Sequence, residues 1–194
     1  MGESSMRPFR GPVGSPRRGG EPPGAGGFTL VELMVTLGVL AILVSMATPS
    51  FTSVINSNRL SSQANELVAD IQLARSEALR RNRTVRLCRS DNGSACATGT
   101  GNWTGWIVML PSTTPVEVLR ASTVKSPLQV SGGDTLDFRG DGLARSSSGG
   151  LASTTFSVCI PTTKPAQNMR NVELAAGARV KAVAATHTTA GACP

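Results

Sequence analysis

At 194 residues, with 19 Lys and Arg against 12 Asp and Glu and a single His, the chain has a formal charge of +7 and almost no imidazole. That length accommodates one domain of ordinary size plus a membrane-length helix, and excludes two large domains. The scarcity of His removes the side chain on which most metal sites and most neutral-pH acid–base chemistry depend.

Residues 1–27 hold 8 of the 21 Gly and 5 of the 12 Pro, with Arg7, Arg10, Arg17 and Arg18 against Glu3 and Glu21. Such a segment cannot bury enough apolar area to offset its chain entropy and is expected to be disordered. A basic leader placed directly before an apolar run reads as a targeting segment that stays on the cytoplasmic side. The run itself, FTLVELMVTLGVLAILVSMA at 28–47, would span about 30 Å as a helix, the thickness of a bilayer hydrocarbon core. With the positive flank N-terminal, everything after Pro49 is expected outside the inner membrane. Glu32 is the one charge in the run. A carboxylate at bilayer depth costs about 2–3 kcal/mol, so it either finds a partner or snorkels to the headgroups. Pro49 cannot donate a helical hydrogen bond and is expected to kink or locally melt the helix.

The junction of leader and helix reads Gly27-Phe28-Thr29-Leu30-Val31-Glu32. It resembles the type III signal of the type IV pilin superfamily, and the resemblance is strong over residues 27–83. It implies that a prepilin peptidase cuts after Gly27 and that Phe28 becomes the N-methylated first residue. It further implies that Glu32 pairs with the new amine of a neighbouring subunit and so sets the register of helices leaving the bilayer for a filament. The charges suit this: the amine would sit one helical turn from Glu32, at a helix end that itself favours an anion.

From 49 to 83 the apolar residues Phe51, Val54, Ile55, Ala64, Leu67, Val68, Ile71, Ala74 and Ala78 recur at helical spacing and predict a stripe packed on a soluble head. Asn56, Asn58, Ser61, Gln63, Asp70 and Arg75 are expected on the opposite face, toward solvent or neighbours. Glu77 precedes Arg81 by one turn, the favourable order for a helical ion pair. The run Arg80, Arg81, Arg83, Arg86 and Arg89 either completes a helix C-terminus or forms part of a polyanion-binding face.

After residue 83 the apolar period becomes two. Segments 84–89, 105–110, 116–121, 134–138, 154–160, 170–175 and 179–184 read as short strands separated by Gly, Pro and Ser. A long helix followed by antiparallel sheet predicts an α+β fold, the helix covering the sheet's apolar face. Trp103 and Trp106 are expected in the core. Four Cys in an exported head, without C-x2-C pairs or nearby His, read as disulfides rather than metal ligands. Three pairings are open. Cys88 with Cys96 would close a Gly- and Ser-rich turn, and Cys159 with Cys193 would tether the C-terminus; these are the expected pairs.

Within the superfamily the head resembles the GspH/FimT family of minor pilins and pseudopilins. The resemblance is carried by NELVADIQLARSEALRRNRTVRLC, GNWTGWIV, LDFRGDGLA and the TFSVC strand with its basic C-terminal hairpin. It implies a type IV pilin-like fold in four parts: leader 1–27, transmembrane and assembly helix 28–48, amphipathic helix 49–83 and β-rich head 84–194. It also implies a non-catalytic subunit at or near a filament tip, with no cofactor, whose partners are other pilins or pseudopilins, the prepilin peptidase and the inner membrane. The filament is either a type IV pilus or the pseudopilus of a type II secretion system. DNA-binding relatives carry a G-R-x-R motif near the C-terminus. Here Ala178-Arg179-Val180-Lys181 offers Arg179 and Lys181 at the basic positions, with Gly177 one residue early and Arg170 expected to join them across the hairpin. On a strand Arg179 and Lys181 share a face, so such a patch would hold phosphates of double-stranded DNA without reading bases. An ordinary solvated basic edge is the alternative. Asp134, Asp137 and Asp141 supply oxygen ligands at short intervals but miss the EF-hand spacing, and Asp and Gly there also suit turns.

Overall fold

The computed structural model describes residues 27–194 apart from positions 100, 134 and 147, with backbone only at 46–50. The leader 1–26 and Asp134 therefore lie outside the described residues. The chain divides into two compact units, Met1–Val44 and Ser45–Pro194, a boundary slightly earlier than the expected one at 48/49.

A single helix, α1 (Leu30–Arg81), carries both stretches read as separate from sequence. Its start is capped by Thr29, whose hydroxyl accepts the Glu32 N–H at 3.2 Å and whose carbonyl accepts the Leu33 N–H at 3.1 Å. It ends on Asn82 at φ 48°, with the Asn82 N–H bonded to the Leu79 carbonyl and the Arg83 N–H to the Ala78 carbonyl, which satisfies two of the last free carbonyls. The backbone stays helical through Pro49, so the local melting expected there is absent. A proline removes one donor, and the neighbouring turns keep theirs.

In the first unit every large apolar side chain from Phe28 to Val44 is exposed, from 83% at Phe28 to 53% at Val39. Among the described residues no helix is long and apolar enough to cross a membrane. The last two residues of the expected span 28–47 fall in the segment whose side chains are not described.

In the second unit α1 packs on two antiparallel sheets. One has the order β3-β2-β1-β5-β6, from β1 (Val85–Arg89), β2 (Gly105–Leu110), β3 (Glu117–Thr123), β5 (Leu136–Phe138) and β6 (Ala144–Arg145). The other has the order β4-β7-β8-β9, from β4 (Gln129–Gly132), β7 (Thr154–Cys159), β8 (Met169–Ala175) and β9 (Arg179–Ala185). Sequence reading anticipated one sheet and missed β4 and β6, which are too short to show a period. The core is continuous: Leu60, Ala64, Leu67, Ile71, Ala74 and Ala78 of α1 meet Leu87, Trp106, Val108, Phe138, Phe156, Val158 and Val172 from both sheets. Trp103 stands edge-on to Phe156, with ring centroids 5.4 Å apart, so both tryptophans are core residues as expected.

The helical stripe needs two corrections. Phe51, Val54 and Ile55 are exposed rather than packed on the head. Asn56, Gln63 and Asp70, assigned to the polar face, are buried, the last two at 1% exposure each. The stripe begins at Leu60, where the sheets first cover α1, and its buried polar residues bond to strands and loops instead of water. Asp70 accepts Trp106 Nε1 and Ser122 Oγ, each at 2.8 Å. Gln63 accepts the Lys125 N–H at 3.2 Å.

Both expected disulfides are present, Cys88–Cys96 and Cys159–Cys193. The first lies on the outer face of β1–β2, where Cys88 joins Ile107 and Met109 in a small second core, with Cys96 and Val118 packed against it. The second holds the tail, where Asn168 Nδ2 donates to the Ala192 carbonyl at 2.9 Å and to the Ile160 carbonyl at 3.1 Å.

Candidate functional site

Two regions carry the residues singled out from sequence. At the N-terminal end, Gly27 and Phe28 precede the helix and are exposed. A Cβ built on Gly27 meets nothing within 4 Å, so the fold itself does not require glycine there. Glu32 lies in the first helical turn, exposed, with its backbone N–H held by Thr29. Sequence reading does not single out Thr29, which caps the helix. The signal was in the sequence, because Thr followed three residues later by Glu is the pattern of a helix-capping box. The cap defines where the helix begins and thereby where Glu32 stands, one turn inside a stem whose apolar side chains are all exposed.

The second region is the β8–β9 hairpin. Its turn is built by Ala176 at φ 49° and Gly177 at φ 69°, with the Ala178 N–H bonded to the Ala175 carbonyl at 3.2 Å. Gly177 is required twice over, since a Cβ there would lie 2.7 Å from the Ala144 carbonyl oxygen. The turn thus falls at Ala176-Gly177, one residue before Ala178, the position at which the resemblance implied a glycine. Arg179 sits opposite Ala175 and Lys181 opposite Glu173, on the exposed face, while Val180 packs against the core. Lys181 Nζ is 2.9 Å from a Glu173 carboxylate oxygen, which compensates its charge. Among the described ion pairs none involves Arg179.

Arg170 does not join this pair. It stands opposite Ala184, an even-numbered position of β8 whose neighbours Val172 and Leu174 face the core. Opposed residues of an antiparallel pair share a face and successive residues alternate, so Arg170 lies on the other face and near the other end of the hairpin. Its guanidinium is taken up by Ser57 Oγ of α1 at 3.1 Å and by the Met169 and Gln167 carbonyls at 2.9 and 3.1 Å. The cation nearer the turn is Arg75, which donates to the Ala178 carbonyl at 3.3 Å.

The arginine run at the end of α1 is largely neutralised in place. Arg80 and Arg81 both hold Glu77, at 2.6 and 2.8 Å, and Arg81 also reaches Glu117 at 3.0 Å. These bonds lower the Glu77 carboxyl from its ordinary 4.5 to about 2. Arg86 grips Asp137 with two bonds of 2.6 and 2.7 Å. Arg89 donates to the Thr98 carbonyl at 2.9 Å. Asp141 accepts the Leu143 N–H at 2.9 Å and Arg145 at 3.0 Å, contacts that draw its pKa downward. Asp137 and Asp141 thus serve a cross-strand ion pair and a turn.

The sequence matches the family described as Type II transport protein GspH over residues 63–178, and the prokaryotic N-terminal methylation motif over residues 23–48. No functionally curated protein matches it. Among solved structures it is similar to the type IV minor pilin FimU of Pseudomonas aeruginosa, at 22% identity and a TM-score of 0.45, covering 64% of this chain and 92% of that one. It is also similar to the minor pseudopilin EpsH of the Type 2 Secretion System of Vibrio cholerae, at 11% identity and a TM-score of 0.49, covering 65% of this chain and 97% of that one. The methylation motif thus coincides with the capped start of the helix, the family match covers the face of α1 from Gln63 together with most of the head, and the chain belongs to the GspH family of minor pilins and pseudopilins.

Proposed function

We propose that this protein is a non-catalytic minor pilin, cut after Gly27, methylated on Phe28 and held by its apolar stem in the inner membrane with the head in the periplasm. From there it assembles at or near the tip of a type IV pilus. The observation that carries this reading is the exposed Gly27-Phe28 junction immediately before a Thr29-capped helix that presents Glu32 in its first turn and apolar side chains all round. A helix apolar on every side is stable only when lipid or other helices cover it, and Glu32 then needs the cation that cleavage creates on an adjoining copy. Pro49 follows the apolar stretch, where family assembly loosens the helix. Coexpression with a prepilin peptidase and intact-mass analysis test the processing. The mature chain is expected to begin at N-methylated Phe28, and a chain that keeps residues 1–27 contradicts the reading.

A second reading, a minor pseudopilin of a type II secretion system, is favoured by the family match itself. Loss of twitching and DNA uptake on deletion identifies the pilus; loss of export of folded enzymes identifies the secretion system. Sequence-independent capture of double-stranded DNA at the β9 edge is part of the pilus reading. It is supported by the exposed Arg179, which takes part in none of the described ion pairs.

A further inference from the structure

Three of the four sheet edges are closed or broken. β4 is bridged on its free side by Trp103, whose N–H donates to the Val130 carbonyl at 2.7 Å. β6 has only two residues; Arg145 is bridged to Leu151, and the Ala144 N–H donates to the Gly177 carbonyl at 2.7 Å. β3 is interrupted at Leu119, the extra residue where its register with β2 shifts between Val108 and Met109. β9 is different. It keeps one unbroken register with β8, from Arg179 opposite Ala175 to Ala185 opposite Met169, over seven residues without Pro or Gly. No backbone hydrogen bond among the described residues reaches its outer side. Such an edge presents a row of free N–H and C=O groups to any extended chain. Lys181, a residue type that guards edges by its charge, is neutralised by Glu173 at 2.9 Å.

The core-facing side of β9 is also left uncovered. Val180, Ala182 and Ala184 alternate there opposite Leu174, Val172 and Arg170, and both alanines are exposed. The helix runs alongside: Arg75 donates to the Ala178 carbonyl at 3.3 Å at one end of β9, and Arg170 donates to Ser57 Oγ at 3.1 Å at the other. Between Ser57 and Arg75 the same side of α1 carries Ser61, Ala64 and Val68 at helical spacing, so this flank is small or apolar between two guanidinium groups. Arg75, Arg170 and Arg179 take part in none of the described ion pairs. A strand added to β9 would direct every second side chain into the flank, and seven residues span about 20 Å, from the Arg75 end to the Arg170 end. A second copy of β9 has no carboxylate to bring to these arginines. A DNA duplex would meet Arg179 but leave the ladder groups and the exposed alanines uncovered.

We propose that β9 is a strand-addition site for another pilin or pseudopilin subunit. That subunit contributes an extended segment with bulky apolar residues at alternate positions between two carboxylates, one for Arg75 and one for Arg170. The identity of the partner rests on the minor-pilin reading above.

Amide hydrogen exchange on the full chain in detergent micelles, with the peptide acetyl-Glu-Thr-Val-Thr-Val-Thr-Glu-amide as probe, tests the site. At saturation, exchange at 180–184 slows by on the order of tenfold, while β3 is unaffected. Successive strand residues turn their N–H groups to opposite sides. N-methylation of the two valines or of the three threonines therefore abolishes the effect in one peptide and leaves it in the other. Arg75→Gln/Arg170→Gln weakens the peptide by about tenfold and leaves an analogue ending in Gln unaffected. In sheared filaments Val183→p-benzoylphenylalanine cross-links to an extended segment of another subunit with this pattern. Unchanged exchange, equal slowing by both methylated peptides, or cross-links to helical segments alone overturns the proposal. So does protection of 180–184 by a DNA duplex and not by the peptide, which returns the edge to DNA capture. A chain absent from filaments brings down the minor-pilin reading and the partner assigned with it; a chain present in filaments without the cross-link overturns this proposal alone.

Discussion

Asp70 shows how far a single polar residue of the helix can matter. Its carboxylate is buried and accepts three donors, Trp106 Nε1, Ser122 Oγ and Arg120 Nε, each at 2.8 Å. Removing it strands the indole and hydroxyl donors in the core, so Asp70→Ala should cost about 3–5 kcal/mol in urea denaturation. Arg120 is half exposed and its own truncation should cost no more than about 1 kcal/mol. Similar losses for the two variants would contradict this account of the site. Helical periodicity placed Asp70 on the wet face because a wheel treats every polar residue alike. The overlooked clue was Trp106, a buried indole that must find an acceptor. Glu77 gives a pH dependence. Its carboxyl is lowered in the fold, so the stability it contributes is present above the unfolded value near 4.5 and is lost as pH falls toward about 2. Thermal melts should decline through that interval, and Glu77→Gln should flatten that decline. An unchanged profile in the variant would assign the acid sensitivity to other carboxylates.

Among the elements, the β8–β9 hairpin illustrates what spacing can and cannot settle. Alternation put Arg179 and Lys181 on one face and Val180 on the other, and the ladder agrees. Neither the register that separates Arg170 from them nor the carboxylate that meets Lys181 was legible, because both depend on which β8 residue lies opposite. The DNA-capture proposal consequently concentrates on one side chain. In retention on immobilised DNA at moderate salt, Arg179→Ala alone should produce most of the loss seen with Arg179→Ala/Lys181→Ala, and both should act equally on unrelated sequences. Unchanged retention in the double variant would shift the role to another basic surface. Seven of the strands were readable from period and punctuation. β4 and β6 were not, and with them went the division into two sheets, which arises from pairing between segments far apart in sequence.

For the molecule as a whole, the sequence is most informative where the fold constrains it least. The N-terminal methylation motif is contiguous, so Gly27, Phe28 and Glu32 can be read in a line. The disulfide pairs followed from the short loop and the free tail. The helix-to-sheet contacts through Asn56, Gln63 and Asp70 answer to surfaces that exist only after folding, and the stripe read from sequence accordingly began too early, at Phe51 rather than Leu60. The central claim is that Glu32 draws each stem into register with its neighbour through the amine exposed by cleavage. Its most direct test is the share of Glu32→Leu protein recovered in sheared filaments relative to the parent chain, at equal membrane levels and with cleavage after Gly27 verified by mass. The account predicts that the variant is processed normally and nearly absent from filaments; incorporation equal to that of the parent would contradict it.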